Sequence, residues 1–215
     1  MNNIKIKKYN EQLIRWPDSG KHIMAQYDEN SVIVYQAYNH SIGHYAANHG
    51  KFGGSFSFSR MTWMKPNFLW MMYRSGWGTK ENQEVTLAVK IKRKAFDTIL
   101  SLAVPSSFDS KRYYSAEEWK RQVKESDVRL QWDPDHNPFG EKEVRRAIQL
   151  GLRGAIVEKY ASEWIIDIFD ISEFVCEQRA HVEDGRLDLL YTPGEMVYRP
   201  NDSALSKNLG LSEEQ

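Results

Sequence analysis

Cysteine is almost missing from this chain: Cys176 is the only thiol in 215 residues, so no intramolecular disulfide can form. No run of eighteen apolar residues and no N-terminal apolar leader segment occurs, which excludes a spanning helix and a secretory signal of the usual kind. A soluble cytoplasmic protein without a membrane partner is expected. Internal repeats are also absent. Cys176 lies in an acidic segment with only Arg179 near it to lower its pKa, so it reads as a buried structural thiol and not a nucleophile. Neither sign of charge predominates, with 29 basic and 29 acidic residues. The distribution is uneven: residues 1–25 carry five cations against two acids, residues 90–124 nine against four, and residues 161–195 two against nine. A basic half set against an acidic half favours an anionic ligand on one side, although solvated helix faces give the same pattern.

What is present is enough to bury a full core. With 41% hydrophobic residues at this length, one domain over residues 1–200 is expected, followed by a flexible C-terminal tail over 201–215. The patterning predicts strands over Lys21–Tyr27 and Val32–Tyr38 around the turn Asp28-Glu29-Asn30, and Asn39 as the cap of a helix from His40 to about Asn48. A buried helix is predicted from Pro66 to about Arg74, because Phe68 to Tyr73 are apolar on all sides. Further strands are expected over Val85–Ile91, Val128–Trp132, Arg146–Leu150 and Glu163–Phe169. Helices are expected over Lys94–Leu102, Ser115–Lys124, Leu152–Ala161 and Ile171–His181. Asp133–Gly140 reads as a loop. The class is α+β: one mixed domain with a central, mainly antiparallel sheet and flanking helices.

The densest information lies in Arg60–Gly78, which gathers three Trp, four Met, one Tyr and three cations around one Pro and two Gly. Large aromatics bury 150–250 Å² each, while Arg60, Lys65 and Arg74 have no acid within the run. A pocket wall and a cationic rim are thus written into one segment, as a site for an aromatic anion requires. The loop Arg74-Ser-Gly-Trp-Gly-Thr-Lys80 frees its backbone at Gly76 and Gly78 and offers hydroxyls and cations to a phosphate. The plainer alternative is a helix stop with Trp77 tucked against the core.

Other groups fall at strand ends. Gln36, Tyr38 and Asn39 close a strand just before a helix, where Gln36 and Asn39 could read the edge of a base or amide and Tyr38 could stack. Thr62, Tyr73, Arg146 and Gln149 complete the candidate set, with Gln149 and Tyr73 as candidate catalytic residues and the others as cofactor-binding residues. Gln131-Trp-Asp-Pro-Asp-His136 could hold a magnesium ion, supply a general base, or simply turn the chain. His40 and His44 stand four apart with His49 beyond, but without a following Glu or nearby Asp or Cys, and no metal cofactor is predicted.

Val34-Tyr-Gln-Ala-Tyr-Asn39, the run Arg60–Gly78, Gln131-Trp-Asp-Pro134 and Arg146-Ala-Ile-Gln-Leu-Gly-Leu152 resemble the family known as the domain of unknown function numbered 4291, over roughly residues 15–180. That resemblance carries no assigned activity. A more distant likeness in layout is to ADP-ribosyltransferases, including RNA phosphotransferases that use NAD. It implies a split sheet, nicotinamide clamped against aromatics and a diphosphate held by Arg. The usual catalytic Glu has no counterpart here, and Gln149 is its positional candidate. On this likeness the chain is expected to bind a nucleotide, with NAD as cofactor, and to act as a glycosyl or phosphoryl transferase, with nucleic acid as a further partner. The alternative is a non-catalytic RNA or nucleotide binder using Trp/Tyr stacking and Arg/Lys phosphate contacts.

Overall fold

A computed structural model describes residues 4–213. Among them, eleven strands and eight helices alternate along the chain in one α+β domain. Two sheets carry the architecture. The first has the order β3 (Ser31–Tyr38), β5 (Val85–Lys92), β9 (Ile165–Asp170), all antiparallel. The second runs β4 (Thr62–Met64), β8 (Lys142–Leu152), β7 (Val128–His136), β6 (Ala103–Pro105), antiparallel except at β6 and β7. Two small pairs close the ends of the chain on each other: β1 (Ile6–Lys8) with β10 (Tyr191–Pro193), and β2 (Ile23–Ala25) with β11 (Met196–Tyr198).

Alternation decides what faces inward. On β5, Val85, Leu87, Val89 and Ile91 all enter one core cluster, together with Leu130, Ile148, Leu150 and Leu152 from the second sheet. Helix α2 (His40–His49) begins where Asn39 Oδ1 accepts from the Ile42 N–H at 3.0 Å. It packs on β5 and β9 so closely that a Cβ on Gly43 would fall 2.5 Å from the Val85 side chain. A second cluster gathers Tyr35, Met71, Met72 and Phe174 around helix α3 (Phe68–Ser75).

Several expectations change. The helix predicted from Pro66 starts at Phe68, because Asn67 is the cap and accepts from the Trp70 N–H at 2.7 Å. Tyr73 is 40% exposed, so the apolar run is not buried throughout. The turn at residues 28–30 forms, with Asp28 Oδ1 accepting from the Asn30 and Ser31 N–H groups. The strand before it, however, takes its ladder from β11 and meets β3 only at the Tyr27–Val32 bridge. Asp133–Gly140 is not a loop throughout: β7 continues through Pro134 to His136, with a register shift after Pro134 that accommodates a residue lacking an N–H. The chain after residue 200 is not a frayed tail, since α8 (Ser203–Leu209) buries Leu205 and Leu209 against the core; residues 214–215 lie outside the described part. Cys176 is exposed on α7 (Ser172–Glu183), because Phe174, Val175, Gln178 and Val182 form the buried face.

Candidate functional site

The two sheets join at one point. Tyr35 on β3 and Lys65, just past β4, exchange backbone hydrogen bonds of 2.7 and 3.1 Å. Beyond that bridge the strands splay, and side chains replace the missing ladder. The buried Gln36 amide donates to Thr62 Oγ1 and Tyr38 Oη, both at 2.8 Å, and its carbonyl accepts from the Tyr160 hydroxyl at 2.6 Å. Tyr38 and Thr62 hydroxyls are themselves 2.5 Å apart. Burial pushes the Tyr160 phenol well above its ordinary value, so the network is held together by neutral groups. Gln36, expected to read a ligand, is instead committed to protein partners as a strut across the split.

The gap above this strut is a cleft of about 780 Å³. Tyr38, Asn39 and Ile42 line it from the end of β3 and the start of α2, Arg60, Thr62 and Trp63 from β4 and the residues before it, and Lys65, Met71, Arg74, Asn82, Gln83 and Gln149 also line it. No carboxylate belongs to this lining among the described residues. Nor do Arg60, Lys65 or Arg74 have an acidic group within 4.0 Å among the described residues. Arg60 and Arg74 are exposed, whereas Lys65 is 4% exposed. Burial, reinforced by the Arg74 charge and opposed by Asp133, lowers the Lys65 ammonium to about 8.

Gln149 is held from behind. Asp133 Oδ2 accepts from Gln149 Nε2 at 2.8 Å while Oδ1 accepts from Gln131 Nε2 at 2.9 Å, which leaves the Gln149 carbonyl oxygen without a protein partner among the described residues. The β7–β8 register, with Gln131 opposite Gln149, produces this arrangement. Asp133 was hidden in a sequence that reads as turn chemistry, and its role follows only from the register. The depth of Lys65 was equally hidden.

Of the predicted residues, Tyr38, Asn39, Arg60, Thr62, Arg74 and Gln149 therefore meet at one cleft. Gln36 lies under it as the strut, and three others lie elsewhere. Tyr73 stacks on His136 at 3.6 Å, and the Trp70 ring lies parallel to both, 5.1 Å from His136 and 5.2 Å from Tyr73. Trp77 donates its indole N–H to the Pro138 carbonyl at 3.1 Å, and its own N–H reaches Met72 O at 2.8 Å in the αL stop of α3. The loop that follows caps the helix, with Lys80 Nζ donating to Arg74 O at 2.8 Å and Thr79 Oγ1 to Gly76 O at 2.7 Å. Arg146 lines a different cavity, with Trp132 and Lys21. The acids and His of 131–136 do not converge either. Asp135 pairs with Arg145 at 2.6 Å, and His136 packs against the Tyr73 and Trp70 rings, its own ring pushed below its ordinary pKa by burial. His40 and His44 rings lie 5.1 Å apart, and among the described residues no group of three His, Cys, Asp or Glu side chains is placed to hold a metal ion. No described helix is long and apolar enough to cross a membrane.

Comparison with curated proteins returned no match. A family model, described as Domain of unknown function (DUF4291), matches residues 22–198. That stretch contains the strut, both splayed strands, the three unpaired cations and Gln149, and the chain belongs to this family.

Proposed function

We propose that the cleft between the two sheets binds a nucleotide and serves a transferase, with NAD as the first ligand to test. One observation carries this: Arg60, Lys65 and Arg74 face one cavity whose lining holds no carboxylate. Unpaired cations at this density call for an anion of more than one charge, and charge-assisted contacts from Arg suit a diphosphate. The volume falls within the range of small-molecule sites. Tyr38 and Trp63 offer aromatic surface to a base or nicotinamide ring, and Gln149, oriented by Asp133, offers a carbonyl acceptor to a ring amide.

The lining also bears on the reaction. Glycosyl transfer from NAD breaks the bond between the ribose carbon and nicotinamide nitrogen, and the cationic sugar that develops needs a carboxylate beside it. The nearest, Asp133, stands behind Gln149. Phosphoryl transfer instead develops charge on phosphate oxygens, which three cations stabilise directly. The missing carboxylate equally favours a second reading, a non-catalytic nucleotide or RNA binder; release of nicotinamide or phosphate from a bound nucleotide separates the two. A cytoplasmic setting accords with an exposed, unbridged thiol.

The test is calorimetric titration of NAD, ATP, GTP and short RNA into the wild type and Arg74→Gln, alongside melting curves. Arg74 is exposed and without an ion-pair partner among the described residues, so the variant should melt with the wild type while losing roughly 1.5–3 kcal/mol of NAD, ATP or GTP binding. Unchanged affinity, or early melting, overturns the site.

A further inference from the structure

The nucleotide cleft has a neighbour that shares a wall with it. Gln149 lines the first cleft and Gln131 a second cavity of about 720 Å³, and the single carboxylate of Asp133 accepts from both amides. The second cavity lies between the β6–β7 edge, residues 106–112 and the end of α8.

Its lining is strongly one-sided. Lys21, Lys111, Arg112, Arg146 and Lys207 face it against one acid, Asp109. None of the five is within 4.0 Å of a carboxylate among the described residues. Asp109 is spent locally, accepting from the Lys111 backbone N–H at 2.9 Å. Arg112 donates to Asn208 O at 2.7 Å and also rests on Tyr113, and Arg146 donates to Trp132 O at 2.9 Å, which orients the two guanidinium groups. Trp132 presents its ring beneath the Lys21 ammonium, 6.0 Å from the ring centroid. Ser106 and Ser107 add hydroxyls to the same wall.

We propose that this second cavity binds the sugar-phosphate backbone of a single-stranded nucleic acid. Five cations spread around one cavity exceed what one phosphate requires, whereas successive phosphates of a strand use them in turn. An aromatic face within the cationic array gives a base a stacking surface, the usual companion of backbone contacts in single-strand sites. The cavity is walled on several sides, so a flexible strand enters it and a duplex does not. Together with the nucleotide reading of the first cleft, on which this part of the inference rests, the shared Asp133 wall places that strand beside the bound nucleotide as the second substrate. Binding of the strand itself is independent of that reading.

The experiment measures anisotropy of a fluorescently labelled oligouridylate at several salt concentrations with wild type, Lys111→Gln/Lys207→Gln and Arg74→Gln, each checked by its melting curve. The double variant should bind about tenfold more weakly and lower the salt slope by roughly 1.4, two cations at about 0.7 each. Arg74→Gln should keep oligonucleotide affinity within about twofold, since its charge belongs to the other cleft. Lys21→Gln, whose ammonium rests on the Trp132 face, carries the same test if the double variant melts early. Absence of binding by the wild type, unchanged binding by the cation variants, or competition by inorganic polyphosphate equal to that of RNA per phosphate would each overturn the inference. These results leave the first cleft untouched, because its own failure appears as unchanged nucleotide affinity in Arg74→Gln.

Discussion

Lys65 shows at the scale of one residue why the cleft is built for something other than stability. Its ammonium is taken from water without a carboxylate to receive it, and its pKa falls from 10.5 to about 8. In the unfolded chain the same group keeps its proton to about pH 10.4. Below pH 8 both states are charged and the folded state bears the whole burial cost; between pH 8 and 10.4 the unfolded chain holds more protons, so stability rises with pH. Lys65→Met should therefore stabilise the protein at pH 7 by up to about 3 kcal/mol, at about 1.4 kcal/mol per pKa unit. The gain should shrink steadily as pH rises from 8 to 10, in denaturant titrations at several pH values. A constant gain across that range would mean that Lys65 is not desolvated. The charges of Arg60 and Arg74 were legible because no acid stands near them in sequence. The burial of Lys65 was not, because it depends on a bridge to Tyr35, thirty positions away. Tyr73 and Trp77 misled for a related reason: an aromatic in a rich run satisfies itself equally well by lining a cavity or by stacking on its neighbours.

Helix α3 is the element on which the cleft leans. It carries Met71 and Arg74 into the lining while its other side packs in the second core cluster. Trp70, 6% exposed and lying parallel to both Tyr73 and His136, should cost about 3–5 kcal/mol when replaced by Ala; chemical denaturation checks it, and a variant of wild-type stability would make the helix peripheral. Strand β7 offers a sharper case. Asp135 and Arg145, with side chains 1% and 6% exposed, pair at 2.6 Å across the β7–β8 bulge, and Arg145 also donates to Pro17 O at 2.7 Å. Arg145→Met should cost about 3–5 kcal/mol by stranding a buried carboxylate. The double replacement Asp135→Leu/Arg145→Met should recover much of that loss. Helix α2 was readable from its Asn39 cap and α3 from its apolar run, although the Asn67 cap that starts α3 was not. The second half of β7 was not, because Asp-Pro-Asp is turn chemistry unless a register shift admits Pro to a ladder.

At the scale of the whole molecule, the mixed α+β class was legible from alternating strand and helix patterns, whereas the pairing of the chain's two ends was not. Short strands such as β1, β10 and β11 carry too few alternating residues to announce themselves, and β2, read as a strand, has its partner at the far end of the sequence. The same ends meet the cleft's support through Glu195, buried between them. Its carboxyl accepts from the Phe68 N–H at 2.6 Å and from Asn67 Nδ2 at 3.1 Å, at the first turn of α3, and burial holds its pKa well above the carboxylate range. Gln12 ties in from the other end, accepting from the Glu195 N–H at 2.9 Å and donating to Thr192 Oγ1 at 2.8 Å. A chain ending at residue 190 lacks β10, β11 and this clasp. It should show neither cooperative melting nor protection of α3 from proteolysis, and a folded product would make the clasp dispensable.

The clasp also sets a timetable. During synthesis the segment bearing Arg60, Lys65 and Arg74 leaves the ribosome more than a hundred residues before Glu195 does, which at 5–20 residues per second is several seconds or more. Through that interval α3 has no acceptor for its first N–H, and the Met- and Trp-rich face of the helix waits without its cover. Aggregation or chaperone capture of nascent chains is therefore expected to peak between the emergence of residue 78 and that of residue 195. The last part of the domain to be made decides when the cleft exists.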